Sequence, residues 1–114
     1  MKLSGSEKQI KWAEDILRKA VDDTKELAEE LKKDEEHLSF RDPEREILRL
    51  QAAEDAVENF IYGFYEGKSA SEIIDHRGYL RDRFPEKFLS CVRLKKDGSA
   101  WILNFVKKEM KEKY

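Results

Sequence analysis

SEKQIKWAEDILRKAVDDTKELAEELKK, residues 6–33, carries Ile10, Ala13, Leu17, Ala20, Thr24, Leu27 and Leu31 at alternating steps of three and four. Ile16, Val21 and Ala28 widen that stripe, so the segment reads as one long amphipathic helix. Ser4 with Glu7, or Ser6 with Gln9, fits the capping box that satisfies free helix N–H groups, which sets the start near Ser6. Glu7 with Lys11, Glu14 with Arg18, Asp15 with Lys19 and Glu29 with Lys33 are acid-before-base pairs four apart and line the wet face. Lys32 and Lys33 suit the negative helix end and Asp34, Glu35 and Glu36 do not, so the helix is expected to stop near Lys33. At 1.5 Å per residue it spans roughly 42 Å, more than a compact domain of this mass needs. Its overhanging face is a place for a second subunit or partner helix, unless the chain's own C-terminal elements cover it.

Working outward, residues 34–41 read as a connector, and Asp42-Pro43 restarts a helix with an N-cap acceptor and a ring preset to helical φ. Leu50, Ala53, Val57, Phe60 and Phe64, flanked by Ile47 and Ile61, form its stripe, and Gly67 closes it. Ser69 with Glu72 is a second capping box, predicting a short helix over 70–77 stopped by Gly78, with Ile73 and Ile74 as anchors. Residues 86–106 fit two patterns. Phe88–Leu94, Asp97-Gly98 and Ala100–Val106 could form a hairpin. Pro85 at a first turn, the i, i+4 spacing of Phe84, Phe88 and Val92, a Gly98 C-cap and a Ser99-capped helix with Trp101, Phe105 and Val106 on one face favour two helices. The expected fold is therefore all-α, a single domain over 1–114. It is a long antiparallel helical hairpin covered by shorter C-terminal helices, with an α+β chain carrying a C-terminal β-hairpin as the alternative.

Composition narrows the function classes. The 114 residues are 42% charged and 39% hydrophobic, with a net charge of -2. That balance excludes a generally basic nucleic-acid coat and a DNA-mimicking polyacid. One cysteine excludes an internal disulfide framework, and no run approaches the roughly 20 apolar residues of a membrane span. Residues 1–6 have no apolar core and do not read as a signal peptide, so a cytoplasmic setting without membrane contact is expected.

Charge is unevenly placed, with eleven basic and seventeen acidic side chains in residues 1–65 and twelve basic and eight acidic ones beyond. In the second half His76, Arg77, Arg81, Arg83, Arg93, Lys95 and Lys96 stand among Tyr79, Phe84 and Phe88. Planar guanidiniums with aromatic rings suit phosphate clamping and base stacking, making Arg77, Arg81, Arg83 and Arg93 candidate anion or nucleic-acid contacts. The simpler alternative is that they pair with Asp75, Asp82, Glu86 and the acidic first half. Lys107, Lys108, Lys111 and Lys113 suit the end of a last helix without any partner. Trp12 lies at the margin of the first stripe and Tyr62 falls away from the second; exposed rings of this kind anchor interfaces, so Trp12, Ile16 and Leu27 are the candidate partner contacts.

Catalytic patterns are thin. Cys91 with His76 or His37 is the one thiol pair, and no spacing brings a base to the sulfur. Asp34-x-x-His37 and Glu72-x-x-x-His76 each place two metal-ligand types on one helical face, and neither belongs to a fuller set. Glu54 and Glu58, four apart, read as a solvated face. No phosphate-cradling glycine loop or nucleophile elbow is present. A non-enzyme with no metal, no cofactor and no evident small-molecule substrate is expected.

Residues 5–16, Gly-Ser-Glu-Lys-Gln-Ile-Lys-Trp-Ala-Glu-Asp-Ile, resemble a segment, G-S-E-K-Q-I-x-W-A-E-x-I, of uncharacterised accessory proteins of bacteria, phages and mobile elements. Residues 69–77, Ser-Ala-Ser-Glu-Ile-Ile-Asp-His-Arg, are similar to a later S-A-x-x-W-I-D-x-R segment of such proteins, with Ile73 standing where that pattern has a large aromatic. The resemblance covers about a fifth of the chain and carries no established activity. It implies a bacterial or phage accessory factor, and inhibition of a host defence nuclease would suit that setting. The expectation from the residues is a small helical interaction protein that binds another protein or a second copy of itself, with a nucleic-acid-associated factor using the arginines as the alternative.

Overall fold

In the computed structural model, which describes residues 3–112 without the side chains of Phe105 and Glu112, the first helix α1 runs Glu7–Lys33. Ser6 and Gln9 form the reciprocal capping box at its start, each side chain accepting from the other's backbone N–H at 3.2 Å. Ala13, Leu17, Ala20, Val21, Thr24 and Ala28 are its buried face, and the Thr24 hydroxyl donates to the Ala20 carbonyl at 2.7 Å. Asp34 ends α1 and caps α2 (Glu35–Ser39), accepting from the Glu36 and His37 N–H groups. The expected connector is thus largely a short helix: acids that would oppose the end of α1 favour the start of α2.

α3 (Pro43–Tyr65) starts where expected, Asp42 accepting from the Arg45 N–H. Its buried stripe is Glu46, Leu50, Ala53, Val57, Ile61 and Tyr65. Phe60 and Phe64 are only half-buried and Ile47 is exposed, so from Ala53 the stripe continues at steps of four and ends on Tyr65. Arg18 meets Glu58 and Tyr62, while Lys32 meets Gln51 at 2.5 Å and Glu54 at 3.2 Å; rising numbers on α1 meet falling numbers on α3. Glu54 and Glu58, expected on a solvated face, therefore serve as interhelical ion-pair partners.

α4 (Ala70–Asp75), α5 (Arg77–Asp82) and α6 (Phe84–Cys91) pack on the other side of α1. The break after α4 falls at His76, and Gly78 lies inside α5 instead of stopping the helix. The His76 imidazole at that break turns inward onto Tyr65. Phe60 stacks on Phe84 and meets Phe88 at a tilt, joining α3 to α6. The N-terminal end is tied across: Ala70 N–H donates to Ser4 C=O at 2.8 Å, and Gly5, at φ +138°, approaches so closely that a Cβ would lie 3.3 Å from the Ala70 methyl. No helix among the described residues is long and apolar enough to cross a membrane.

The two-helix reading of 86–106 is corrected between Val92 and Ile102. β1 (Val92–Leu94) and β2 (Ala100–Ile102) pair antiparallel, Val92 opposite Ile102, Arg93 opposite Trp101 and Leu94 opposite Ala100. Gly98 occupies the left-handed region at φ +88°, its N–H closing the turn onto Lys95 C=O at 3.0 Å, and Asp97 accepts from both Ser99 N–H and hydroxyl. These are hairpin-turn features, not a helix C-cap followed by an N-cap. Residues then alternate: Val92, Leu94, Ala100 and Ile102 turn inward, whereas Arg93 and Trp101 turn to solvent, so Trp101 does not share a buried helical face with Val106. Helix returns in α7 (Asn104–Glu112), with Val106 and Met110 buried; the expectations for Phe105 as a packing group and for Lys113 lie outside the described residues. The result is a mostly helical chain with a small two-stranded sheet, 47 × 24 × 22 Å.

Candidate partner-binding face

Four of the sequence-derived candidates meet where α1 passes α4 and α5. Trp12, 49% exposed, lies under the Arg77 guanidinium, whose Cζ is 5.5 Å from the ring centroid. Arg77 Nη1 donates to the Ile74 carbonyl at 2.8 Å, which fixes the cation over the ring. One step along α1, Ile16, Ala20 and Leu80 form the apolar part of a cavity of about 260 Å³, with Arg77 and Arg81 at its edge. Lys19 and Asp23, also at the edge, pair at 3.3 Å, so the unbalanced charge beside the cavity is positive. Arg81 forks onto Asp82 at 2.8 and 3.0 Å; these bonds hold the Asp82 carboxyl below its ordinary range and the Arg81 guanidinium above its own. Arg83 is exposed, and among the described residues its side chain makes no hydrogen bond or ion pair. The segments 5–16 and 69–77 that carry the sequence resemblance meet at this corner through Trp12 with Arg77, and Ser4, just before the first, bridges to Ser69 at the start of the second.

Arg93 and Leu27 belong elsewhere. Both line a cavity of about 530 Å³ at the far end of α1 with Arg41 and Arg49, residues from the acidic first half that the charge count of the second half passed over. At its wall Glu46 is buried on α3, taking bonds from Arg49 Nε at 2.6 Å and His37 Nε2 at 2.6 Å. Burial pushes the Glu46 carboxyl up, but Arg49 and His37 outweigh it and hold it below its ordinary range. The sequence signal for Glu46 was its place one turn before Leu50, a carboxylate in line with an apolar stripe.

The residues considered for chemistry have other contacts. His76 Nδ1 and Tyr65 Oη share a buried hydrogen bond of 2.7 Å, and burial, with Glu72 and Tyr79 adding, pushes the Tyr65 phenol well up. Cys91 is a buried thiol 3.7 Å from the Ser90 hydroxyl. Asp34 caps α2 and His37 faces Glu46, which separates that candidate ligand pair. Among the described residues no three His, Cys, Asp or Glu groups gather to hold a metal ion. No protein-family model matches the chain, and comparison with curated proteins and with solved structures found no match.

Proposed function

We propose that this chain is a small non-enzymatic interaction protein whose long helical hairpin, covered by shorter C-terminal elements, presents the Trp12–Arg77 corner to a partner protein or a second copy of itself. The observation that carries the reading is the Arg77 guanidinium fixed over half-exposed Trp12 beside the Ile16–Leu80 cavity. A ring already held by a cation is a preordered anchor, and aromatic and arginine side chains dominate interface energetics. The cavity, about 260 Å³, is below the roughly 300 Å³ where small-molecule pockets begin and suits one apolar side chain. Arg77 and Arg81 at its edge favour a partner with acidic groups flanking that side chain. An accessory role in bacteria or phages, including inhibition of a host nuclease, rests on the resemblance of residues 5–16 and 69–77.

Nucleic-acid binding is the second reading, favoured by exposed Arg83 with its unengaged guanidinium next to Arg81. Light scattering behind size-exclusion chromatography, at low and moderate salt, with and without a mixed nucleic-acid pool, separates the two. A photo-crosslinking residue at Ile16 expressed in cells should yield a discrete protein adduct that disappears with Trp12→Ala and with Arg81→Glu. A shift with nucleic acid at low salt, lost in Arg81→Glu and Arg83→Glu and without a protein adduct, would replace the first reading with the second.

A further inference from the structure

The cavity at the far end of α1 has walls of two kinds. Leu27 and Leu31 from α1 and Leu89 from α6 make an apolar floor, and Arg41 and Arg93 stand on its polar side. A second depression of about 360 Å³ shares Arg41 and Arg93 and adds Arg45, so the two guanidiniums sit where the depressions join. The donors sort into those already engaged and those left over. Arg49 is fully committed: Nε and Nη2 go to Glu46, at 2.6 and 3.0 Å, and Nη1 to the carbonyls of Leu89 and Val92. Glu46 in turn is taken up by Arg49 and His37. Arg41 and Arg93 are different. Each is held to backbone by Nη1, Arg41 on the His37 carbonyl at 2.5 Å and Arg93 on the carbonyls of Ser90 and Val92 at 2.6 and 3.0 Å. Arg41 Nε lies at 3.7 Å from Glu46, and Nη2 of both residues has no partner among the described residues. Two guanidiniums are thus oriented by the fold, with donors to spare, beside a floor of three leucines.

We propose that this cavity binds a small amphiphilic monocarboxylate, its head between Arg41 and Arg93 and its aliphatic body on Leu27, Leu31 and Leu89. A guanidinium matches a carboxylate as a planar fork, and here its rotamer is fixed before the ligand arrives. The volume, about 530 Å³, lies inside the range of small-molecule sites. Charge selects a monoanion: Glu46 is neutralised by its own partners, and Glu86 lines the same cavity as Arg41 and Arg93, which disfavours a second negative charge. The site is independent of the Trp12 corner and stands or falls separately from the partner reading.

The test titrates the full chain with octanoate, octanol and inorganic phosphate, following arginine Nε–H resonances and the melting temperature. Octanoate is expected to shift Arg93 and Arg41 saturably and raise Tm by mass action. Octanol and inorganic phosphate, each lacking half of the ligand, should bind at least about tenfold more weakly. Arg41→Ala and Arg93→Ala should each weaken octanoate about tenfold. Ser90→Phe, which keeps the backbone carbonyl that holds Arg93 and changes only an exposed rim side chain that neither guanidinium contacts, should close the cavity and abolish the shift while the fold, read by circular dichroism, persists. No saturable shift with octanoate, equal binding of octanol, or octanoate shifts confined to Arg77 and Arg81 would each overturn the proposal. Should the arginine variants fail to fold, the octanol comparison and Ser90→Phe decide it.

Discussion

Glu46 shows how one side chain can hold three elements. Its carboxylate is buried on α3 against Arg49, and Arg49 continues to the Leu89 and Val92 carbonyls at the end of α6, while His37 brings in α2. Removing one partner of such a pair leaves an uncompensated charge, so Arg49→Ala is expected to lower unfolding free energy by about 3 kcal/mol in urea titration. The folded-state pKa of Glu46 is lowered from 4.5, so its stabilisation is present above 4.5 and lost as pH falls through the lower folded value. Wild type should therefore exceed Glu46→Gln in stability at neutral pH, with the gap closing below about pH 4.5; a pH-independent gap would refute this electrostatic role. Tyr65 gives the opposite sign. Its pKa is raised from 10.0, so the neutral phenol stabilises the fold below pH 10 and that contribution disappears as pH rises further. In alkaline absorbance titration, the ionisation missing from Tyr65→Phe should be the step that coincides with loss of helical circular dichroism.

At the scale of elements, the hairpin and the helices differ in how much of them could be read from residue order. α1 and α3 stand as expected because each repeats one periodicity over six turns or more, so a single exception does not change the pattern. Residues 86–106 hold only three residues per strand, and Phe84, Phe88 and Val92 are four apart whether or not the chain stays helical after Cys91. What decided it was tertiary: the inward side of the strands packs on α3. The Trp12 corner is half legible, since Trp12, Ile16, Arg77 and Arg81 each stand out by residue type and spacing, but nothing in the order of residues shows that positions 12 and 77 touch. Arg41 and Arg49 were hidden by the acidic balance of their half, and Tyr65 with His76 by a separation of eleven residues that only the inward turn after α4 closes. The hairpin itself is testable at Gly98. Its φ of +88° is reached by L side chains only with strain, and no atom lies near an added Cβ, so Gly98→Ala measures backbone strain alone. It should cost about 1 kcal/mol, and Gly98→Asn less, because asparagine tolerates the left-handed region. A helix running through Gly98 would instead make Gly98→Ala neutral or stabilising.

For the molecule as a whole, the proposed function gives α1 two roles on two sides, and they can be separated. Leu17 is fully buried between α3 and the C-terminal helices, whereas Trp12, little more than a turn earlier on the same helix, is half-exposed under Arg77. Leu17→Ala should cost about 3 kcal/mol, because transfer and cavity terms add in a core that cannot collapse around the gap. In a domain of about 100 residues that is a fall of roughly 10 °C or more in Tm. Trp12→Ala removes a surface cation–π contact worth about 1 kcal/mol, so its Tm should fall by only a few degrees. Association should rank the other way. Measured at a temperature where both variants remain folded, Leu17→Ala should retain the crosslinked partner adduct at Ile16 and Trp12→Ala should lose it. If Trp12→Ala instead costs as much stability as Leu17→Ala and keeps the adduct, the ring belongs to the fold, and the corner it shares with Arg77 is a packing contact and not a docking surface.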